Sequence, residues 1–242
     1  MDKTAIRQRI KEGARITIIG DSLAAGAGSS CSYKTEEVIM CDGSDVFVRR
    51  MAPNSWWGRF QNYLTDKYPG CTVVNNGCGG AFSCQLRKGL SSVFDEDKDD
   101  IVFLFLGAND RKRVGGMEEL CCNLTWMIRY FKEKKKPVVV FTPNPSTVEN
   151  EAYPNRLYHM EDVSNIIIDV AEKEQVLLID NYNYIMDYLF VTGKKIEDII
   201  FGNGCPNDGC HPADTIQEMI YRNLMRCLGF SVKIDGADGR RK

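Results

Sequence analysis

Residues 16–23 read Ile-Thr-Ile-Ile-Gly-Asp-Ser-Leu, so an apolar, β-branched run leads directly into a turn sequence. Such a run predicts a short buried strand, because β-branched side chains pack well on a pleated sheet. Four more apolar runs follow, at residues 71–74, 101–106, 138–141 and 176–179. The run at 101–106 is uninterrupted, which is typical of a central parallel strand that is buried on both faces.

Between these runs, apolar residues recur at helical spacing. We predict helices over residues 56–64, 83–94, 120–131, 160–170 and 216–227. Strands that alternate with helices build parallel sheets with right-handed crossovers. The sequence therefore predicts an α/β fold, a three-layer αβα sandwich around a parallel five-stranded sheet.

The chain has 242 residues, which is enough for one large α/β domain and short for two. We predict a single domain over residues 1–242, with its core at about 15–228. Two segments interrupt the alternation. Residues 29–53 form an insert that is too long for a plain connection, and its apolar runs around Asp42-Gly43 favour a small hairpin. Residues 231–242 form a polar tail.

Charge and hydropathy argue against several classes of protein. Lys and Arg number 31 against 33 Asp and Glu, a formal net charge of −2, and no basic patch stands out to bind nucleic acid. No stretch approaches the ~18 apolar residues of a membrane span, so we expect no membrane partner. The N-terminal residues lack the apolar core of a signal peptide. We expect a cytoplasmic protein, although a leader removed beforehand would leave no trace.

The ten cysteines do not fall into paired C-x-x-C hooks, so the sequence does not indicate a zinc site. Cys205 and Cys210 lie near His211 and invite comparison with a metal-binding loop, but a fourth ligand is not evident. We therefore expect no metal and no organic cofactor.

Unusual residues stand where the predicted strands end. Ser22 follows the first strand, the glycine-rich segment 75–80 follows the second, and Gly107-Ala108-Asn109-Asp110 follows the third. Asp208-Gly209-Cys210-His211 precedes the last predicted helix. Because ligands bind at the carboxyl ends of the strands in an open parallel sheet, we expect these loops to converge at one edge.

Three of these residues have the side chains of a nucleophilic catalyst. Ser22 is a candidate nucleophile, His211 a base, and Asp208 the carboxylate that orients the base. The chain has two histidines, and the other, His159, lies on a predicted helix and fits a surface or packing role. Taken singly, each motif also fits an ordinary turn or loop, and the segment 75–80 also resembles a phosphate-binding loop but lacks the Lys-Ser/Thr ending.

Together and in this order, the motifs at 20–23, 77–80, 107–110 and 208–211 resemble the SGNH hydrolase superfamily, also called the GDSL esterase/lipase family. The resemblance covers roughly residues 15–228. It implies a flavodoxin-like αβα fold with strand order 2-1-3-4-5, where the strands are numbered along the chain. The insert at 29–53 has no counterpart in this resemblance.

The resemblance also implies a role for each site residue. Ser22 would be the nucleophile, His211 the base, and Asp208 the residue that holds the base. Three donors would form the oxyanion hole: the backbone N–H groups of Ser22 and Gly77 and the side-chain amide of Asn109. Such preorganised donors stabilise the negative charge that develops on the attacked carbonyl oxygen.

The function that follows is that of a serine esterase acting through an acyl-serine intermediate. The mixed apolar and charged composition of the insert suits a polar alcohol better than a long acyl chain, so we expect a short-acyl ester, with O-acetylated carbohydrate as the leading candidate. A thioesterase, a lysophospholipase and an acyltransferase remain alternatives on the same site, and a binding protein that has kept only the fold is the alternative from another class. The oligomeric state is not predicted.

Overall fold

A computed structural model of the chain describes residues 3–202 and 206–231. In chain order the elements are α1 (Lys3–Lys11), β1 (Arg15–Gly20), β2 (Tyr33–Asp42), β3 (Asp45–Met51), α2 (Trp56–Lys67), β4 (Thr72–Gly77), α3 (Ser83–Lys88), α4 (Leu90–Val93), β5 (Ile101–Phe105), α5 (Gly116–Glu133), β6 (Val138–Phe141), α6 (Val148–Glu151), α7 (Met160–Lys173), β7 (Leu177–Ile179), α8 (Asn181–Thr192), α9 (Glu197–Ile200) and α10 (Asp214–Leu228), with a 3₁₀ helix at Asp110–Lys112.

Five parallel strands form the central sheet in the order β4-β1-β5-β6-β7. This arrangement is the predicted order 2-1-3-4-5, so the fold prediction is confirmed. From β1 the chain crosses to β4 on one side and then returns to β5 on the other. The strand order therefore reverses at β1, which is the position where sheets of this kind bind ligands.

Helices cover both faces of the sheet. Helices α3, α5 and α7 pack together in one layer, while α1, α2, α8 and α10 pack together in the other. Every side chain of β5 and β6 is buried, because both faces of these central strands lie under helices. The indole of Trp56 packs against Phe105 and Phe141, with ring centroids 5.7 and 5.1 Å apart.

The insert folds as an antiparallel hairpin of β2 and β3, as predicted around Asp42-Gly43, but its strands are longer than expected. Met40 and Phe47 bury their side chains in the core. Arg49 fixes the hairpin beside β4, because its Nη1 donates to the carbonyl oxygen of Asn75 at 2.5 Å and to Oδ1 of Asn76 at 3.0 Å.

The helix predicted over 83–94 is wrong in its continuity, since α3 and α4 are separate helices with Gly89 between them. A side chain at position 89 would collide with Met40 of the hairpin. Helices α1 and α8 were not predicted. In α8 the buried side chains are Asn181, Ile185 and Leu189, which is too narrow a stripe to stand out in the sequence.

Some predictions fall on residues outside the described ranges. Cys205 and nearly all of the predicted tail, from residue 232 onward, belong to this group. Within the described residues, no helix has the length and apolar character needed to cross a bilayer.

Candidate active site

Ser22, His211 and Asp208 are joined by a continuous line of hydrogen bonds. The Ser22 hydroxyl lies 2.8 Å from Nε2 of His211, and Nδ1 of His211 lies 2.5 Å from Oδ2 of Asp208. Ser22 stands directly after β1, and the other two residues lie on the loop before α10. The sheet thus brings Ser22 to two residues from the far end of the chain, in the order nucleophile, base and carboxylate.

The Asp208 carboxylate fixes the turn of the loop that carries His211. Oδ1 of Asp208 accepts the backbone N–H groups of Cys210 and His211, both at 2.9 Å. Gly209 turns the chain with φ of +68°, a conformation that glycine adopts without strain. The turn leaves Oδ2 of Asp208 facing the imidazole.

Opposing effects act on the Asp208 carboxyl. Burial acts to raise the pKa of Asp208, but the hydrogen bond and the charge of His211 outweigh it and hold that pKa well below its usual range. The carboxylate is therefore ionised at neutral pH and keeps the proton of the imidazole on Nδ1. Nε2 is then free to accept the proton of Ser22.

A buried carboxylate fixes the turn that carries Ser22. Oδ1 of Asp21 accepts the N–H of Leu23 at 2.9 Å, and its Oδ2 accepts the N–H of Ala108 at 3.1 Å. Burial raises the pKa of Asp21 to about 6. Asp21 thus ties the turn after β1 to the turn after β5. The sequence analysis missed this role, although a carboxylate directly after a buried strand was the available signal.

The structure corrects the second predicted oxyanion donor, Gly77. Its N–H donates to Oδ1 of Asn75 at 2.9 Å. Strand β4 runs through Gly77, which still pairs with Gly20 in the sheet, so the loop begins later than the sequence indicated. Beyond it, Gly79 and Gly80 line the same cavity as Ser22.

Within the described residues, no hydrogen bond occupies the backbone N–H of Ser22, Gly79 or Gly80. Gly80 has φ of +93°, and a Cβ there would meet nothing within 4 Å. Glycine is therefore required at position 80 by the backbone conformation and not by a lack of space.

The Asn109 side chain lies at the same cavity and is held from both ends. Its Nδ2 donates to the carbonyl oxygen of Ala81 at 3.1 Å, and its Oδ1 accepts from Nζ of Lys112 at 2.6 Å. One of the two N–H bonds of the amide remains for a ligand.

Next to Asn109, Asp110 is buried and accepts the hydroxyl of Ser83 at 2.5 Å, and burial raises the pKa of Asp110 to about 6.

Comparison with known proteins identifies the family of the chain. A family model described as the GDSL-like Lipase/Acylhydrolase family matches residues 18–217. The chain belongs to this family. Membership places it among hydrolases that act on esters, and it confirms the resemblance on which the site was predicted. A search of curated protein sequences found no match to the chain.

Solved structures share the fold of this GDSL-like hydrolase at low identity. The acetylxylan esterase Axe2 from Geobacillus stearothermophilus is 20% identical with a TM-score of 0.67, and the match covers 92% of this chain and 97% of that one. LAE5, an alpha/beta hydrolase from the metagenome of Lake Arreo, Spain, is 18% identical with a TM-score of 0.68, over 90% and 95% of the two chains. At this identity the matches establish the fold.

The cavity beside Ser22 has a volume of about 480 Å³. A larger cavity of about 710 Å³ lies elsewhere, between α6 and α8, and neither Ser22 nor His211 lines it. His159 is among the residues of that second cavity, where its Nδ1 lies 3.2 Å from Glu151. The hydrogen-bonded residues Ser22, His211 and Asp208 therefore all lie at the smaller cavity.

Trp56 and Trp57 are buried and do not line the catalytic cavity. Their Nε1 atoms donate to the carbonyl oxygens of Leu23 and Ala25, at 3.1 and 3.2 Å, so both indoles brace the segment after Ser22. In the described part of the chain, no cluster of three or more His, Cys, Asp or Glu is arranged to hold a metal, and all nine cysteines there are free thiols.

Proposed function

We propose that this GDSL-like hydrolase is a serine esterase that cleaves short-acyl esters through an acyl-serine intermediate. The observation that carries the proposal is the unbroken hydrogen-bond line Ser22–His211–Asp208 at the wall of an accessible cavity. A scaffold that had lost its chemistry would have no need to keep a nucleophile, a base and an ionised carboxylate in contact.

In the proposed reaction, Nε2 of His211 takes the proton of the Ser22 hydroxyl while Oγ attacks the ester carbonyl carbon. The ionised Asp208 stabilises the imidazolium that forms. The imidazolium then gives its proton to the departing alcohol, leaving the acyl group on Ser22. In the second half, His211 takes a proton from water, the hydroxide attacks the acyl carbon, and Ser22 recovers its proton as the acid leaves.

We assign the oxyanion to three donors: the N–H of Ser22, the N–H of Gly80 and the free Nδ2 hydrogen of Asn109. The unbonded backbone N–H groups and the braced amide support this assignment. Donors fixed before the reaction stabilise the transition state more than the ground state, because they need no reorganisation as charge develops.

The cavity lining supports a short acyl group. Among the described residues its apolar members are Ala27 and Pro206, and the others are polar, charged or glycine. Each buried CH₂ group contributes about 0.8 kcal/mol only where apolar surface receives it, so a long acyl chain gains little here. The polar lining suits a carbohydrate alcohol, and the similar Axe2 is an esterase of acetylated xylan.

The test is hydrolysis of 4-nitrophenyl esters from acetyl to palmitoyl by the purified protein. We expect kcat/KM to be highest for acetyl and to fall steeply with chain length. Ser22→Ala should abolish turnover and labelling by a fluorophosphonate probe while leaving thermal unfolding unchanged. A maximum at long chains would instead indicate a lysophospholipase or lipase, and activity that persists in Ser22→Ala would refute the serine mechanism.

A further inference from the structure

Three cationic side chains line the catalytic cavity: Lys34 and Arg50 from the hairpin, and Lys112 from the 3₁₀ helix. In the ranges that the structure describes, none of them forms an ion pair with a carboxylate. Of the described lining residues, Asp208 alone is acidic, and its carboxylate is already engaged by His211. The cavity therefore presents an excess of positive charge in a protein whose net charge is negative.

The hairpin brings two of these cations directly opposite each other. Lys34 pairs with Arg50 in the register of β2 and β3. Like charges at opposite positions of an antiparallel pair repel and destabilise it. The same hairpin can neutralise an arginine, because the neighbouring Arg49 forms a two-pronged ion pair with Glu37 at 2.7 and 2.9 Å. No acidic residue of the described hairpin plays that part for Arg50.

Two of the cations are half-buried, which makes their lack of a counterion costly. Burial lowers the pKa of Arg50, and its Nη1 donates a hydrogen bond to Oγ of Ser32 at 3.2 Å. Burial and the nearby charge of Arg156 lower the pKa of Lys112. Nζ of Lys112 donates to the neutral Oδ1 of Asn109 at 2.6 Å, which leaves its charge unbalanced. A charge that loses part of its hydration without a counterion raises the free energy of the folded state.

Asp21 does not supply the missing counterion. It lies close enough to act on Lys112 through space, but it is fully buried and both of its oxygens accept backbone N–H groups. The guanidinium of Arg50 has five N–H donors, and most of them have no acceptor among the described residues, while Arg50 lines the cavity. A bound anion would satisfy these donors and relieve the repulsion between Lys34 and Arg50.

We propose that Lys34, Arg50 and Lys112 form an anion subsite that binds a carboxylate or phosphate group on the alcohol part of the ester. The placement on the alcohol rests on the proposed function, because an acetyl group carries no charge of its own. The substrate class is then an acetylated sugar that also carries a carboxylate or a phosphate. A neutral acetylated sugar has no group to occupy the subsite.

Binding to the Ser22→Ala protein tests the subsite without turnover. The probes are mono-acetylated glucuronate, mono-acetylated glucose 6-phosphate and mono-acetylated glucose, titrated by calorimetry at low salt. We expect each acidic sugar to bind about tenfold or more tightly than the neutral one, since a charge-assisted hydrogen bond is worth that much. The acidic sugar that binds more tightly identifies carboxylate or phosphate as the preferred group. Added salt should weaken the binding of both acidic sugars.

Matched variants in the Ser22→Ala background locate the effect. Arg50→Gln and Lys34→Gln should each remove most of the preference for the acidic sugars and leave binding of acetylated glucose unchanged. Lys173→Gln removes one positive charge from the exposed surface of α7 and should change neither. Equal binding of the three sugars, or a preference that survives Arg50→Gln in a folded protein, would overturn the subsite.

Hydrolysis by the Ser22-containing protein separates this inference from the proposed function. If acetylated glucose and 4-nitrophenyl acetate are hydrolysed as well as the acidic esters, and Ser22→Ala binds all three sugars equally, the esterase stands and the subsite is wrong. If Ser22→Ala shows an Arg50-dependent preference for acidic sugars but the intact protein hydrolyses no ester, the subsite stands and the proposed function is wrong.

Discussion

Replacing Asp208 by alanine tests how the carboxylate contributes to catalysis. In the proposed mechanism, Asp208 acts on the reaction through the 2.5 Å contact of its Oδ2 with Nδ1 of His211. Two unit charges about 4 Å apart interact by about 4 kcal/mol at an effective dielectric constant near 20. That energy corresponds to a rate factor of roughly 10³.

Solvent exposure reduces this figure. The side chain of Asp208 is 37% exposed and that of His211 25% exposed, so water screens part of the attraction. We therefore expect Asp208→Ala to lower kcat/KM for 4-nitrophenyl acetate by roughly 10²–10³. His211→Ala should lose more, because it removes the base itself.

The assay compares kcat/KM of the two variants with that of the unmodified protein, at constant pH, after thermal unfolding has confirmed that each is folded. Asp208→Asn is the companion variant, since it keeps an oxygen to accept the N–H groups of Cys210 and His211 and so preserves the turn. The reasoning is refuted if Asp208→Ala is as active as the unmodified protein, or if it is as inactive as His211→Ala.

Three further predictions concern residues around the hydrogen-bonded Ser22, His211 and Asp208. Asn109→Ala should lower kcat by on the order of 10²-fold with little change in KM, and a raised KM at constant kcat would mean that Asn109 binds the ground state instead. Gly80→Ala should lower kcat because its φ of +93° cannot be kept by alanine without strain; Gly193→Ala, at φ of +67° and away from Ser22, is the control for backbone strain and should retain activity. Asp21→Asn should alter the pH dependence of stability. The raised pKa of Asp21 means that its stabilising contribution is complete below the unfolded pKa and is lost as pH rises through about 6. The free energy of unfolding of the unmodified protein, relative to Asp21→Asn, should therefore fall by up to about 3 kcal/mol between about pH 4 and pH 7, and a difference that rises over this range contradicts the assignment. The exposed Asp169→Asn is the surface control.

The fold class and the meeting of Ser22 with the Asp208–His211 turn were predictable because they depend on features that the sequence carries directly, whereas the strand order was implied by the family resemblance. Apolar runs of strand length alternate with helical patterns, and the fold class follows from that alternation. Ser22 and the Asp208–His211 turn lie at the ends of those runs. Their meeting follows from the sheet, since the carboxyl ends of parallel strands share one edge.

What the sequence could not show is register. Whether Gly77 still belongs to β4 depends on how far the strand continues to pair with β1, and no local residue marks that end. The same holds for Lys34 and Arg50, whose pairing follows a register shift within the hairpin between Lys34 and Val38. A bulge of this kind changes which side chains share a face of the hairpin. The proposed anion subsite is therefore visible only in the three-dimensional structure.

The hairpin connects the glycine loop to the proposed anion subsite through two neighbouring arginines of β3. Arg49 ties β3 to the carbonyl oxygen of Asn75 and the side chain of Asn76, and Oδ1 of Asn75 in turn holds the N–H of Gly77 at the entrance to the glycine loop. The neighbouring residue Arg50 lines the cavity beside Ser22. Because successive residues of a strand face opposite sides, β3 holds the start of the glycine loop through Arg49, and through Arg50 it supplies a charge to the proposed anion subsite. Changes at Arg50 should therefore alter which esters bind, whereas changes at Arg49 should loosen the glycine loop and lower activity toward every ester.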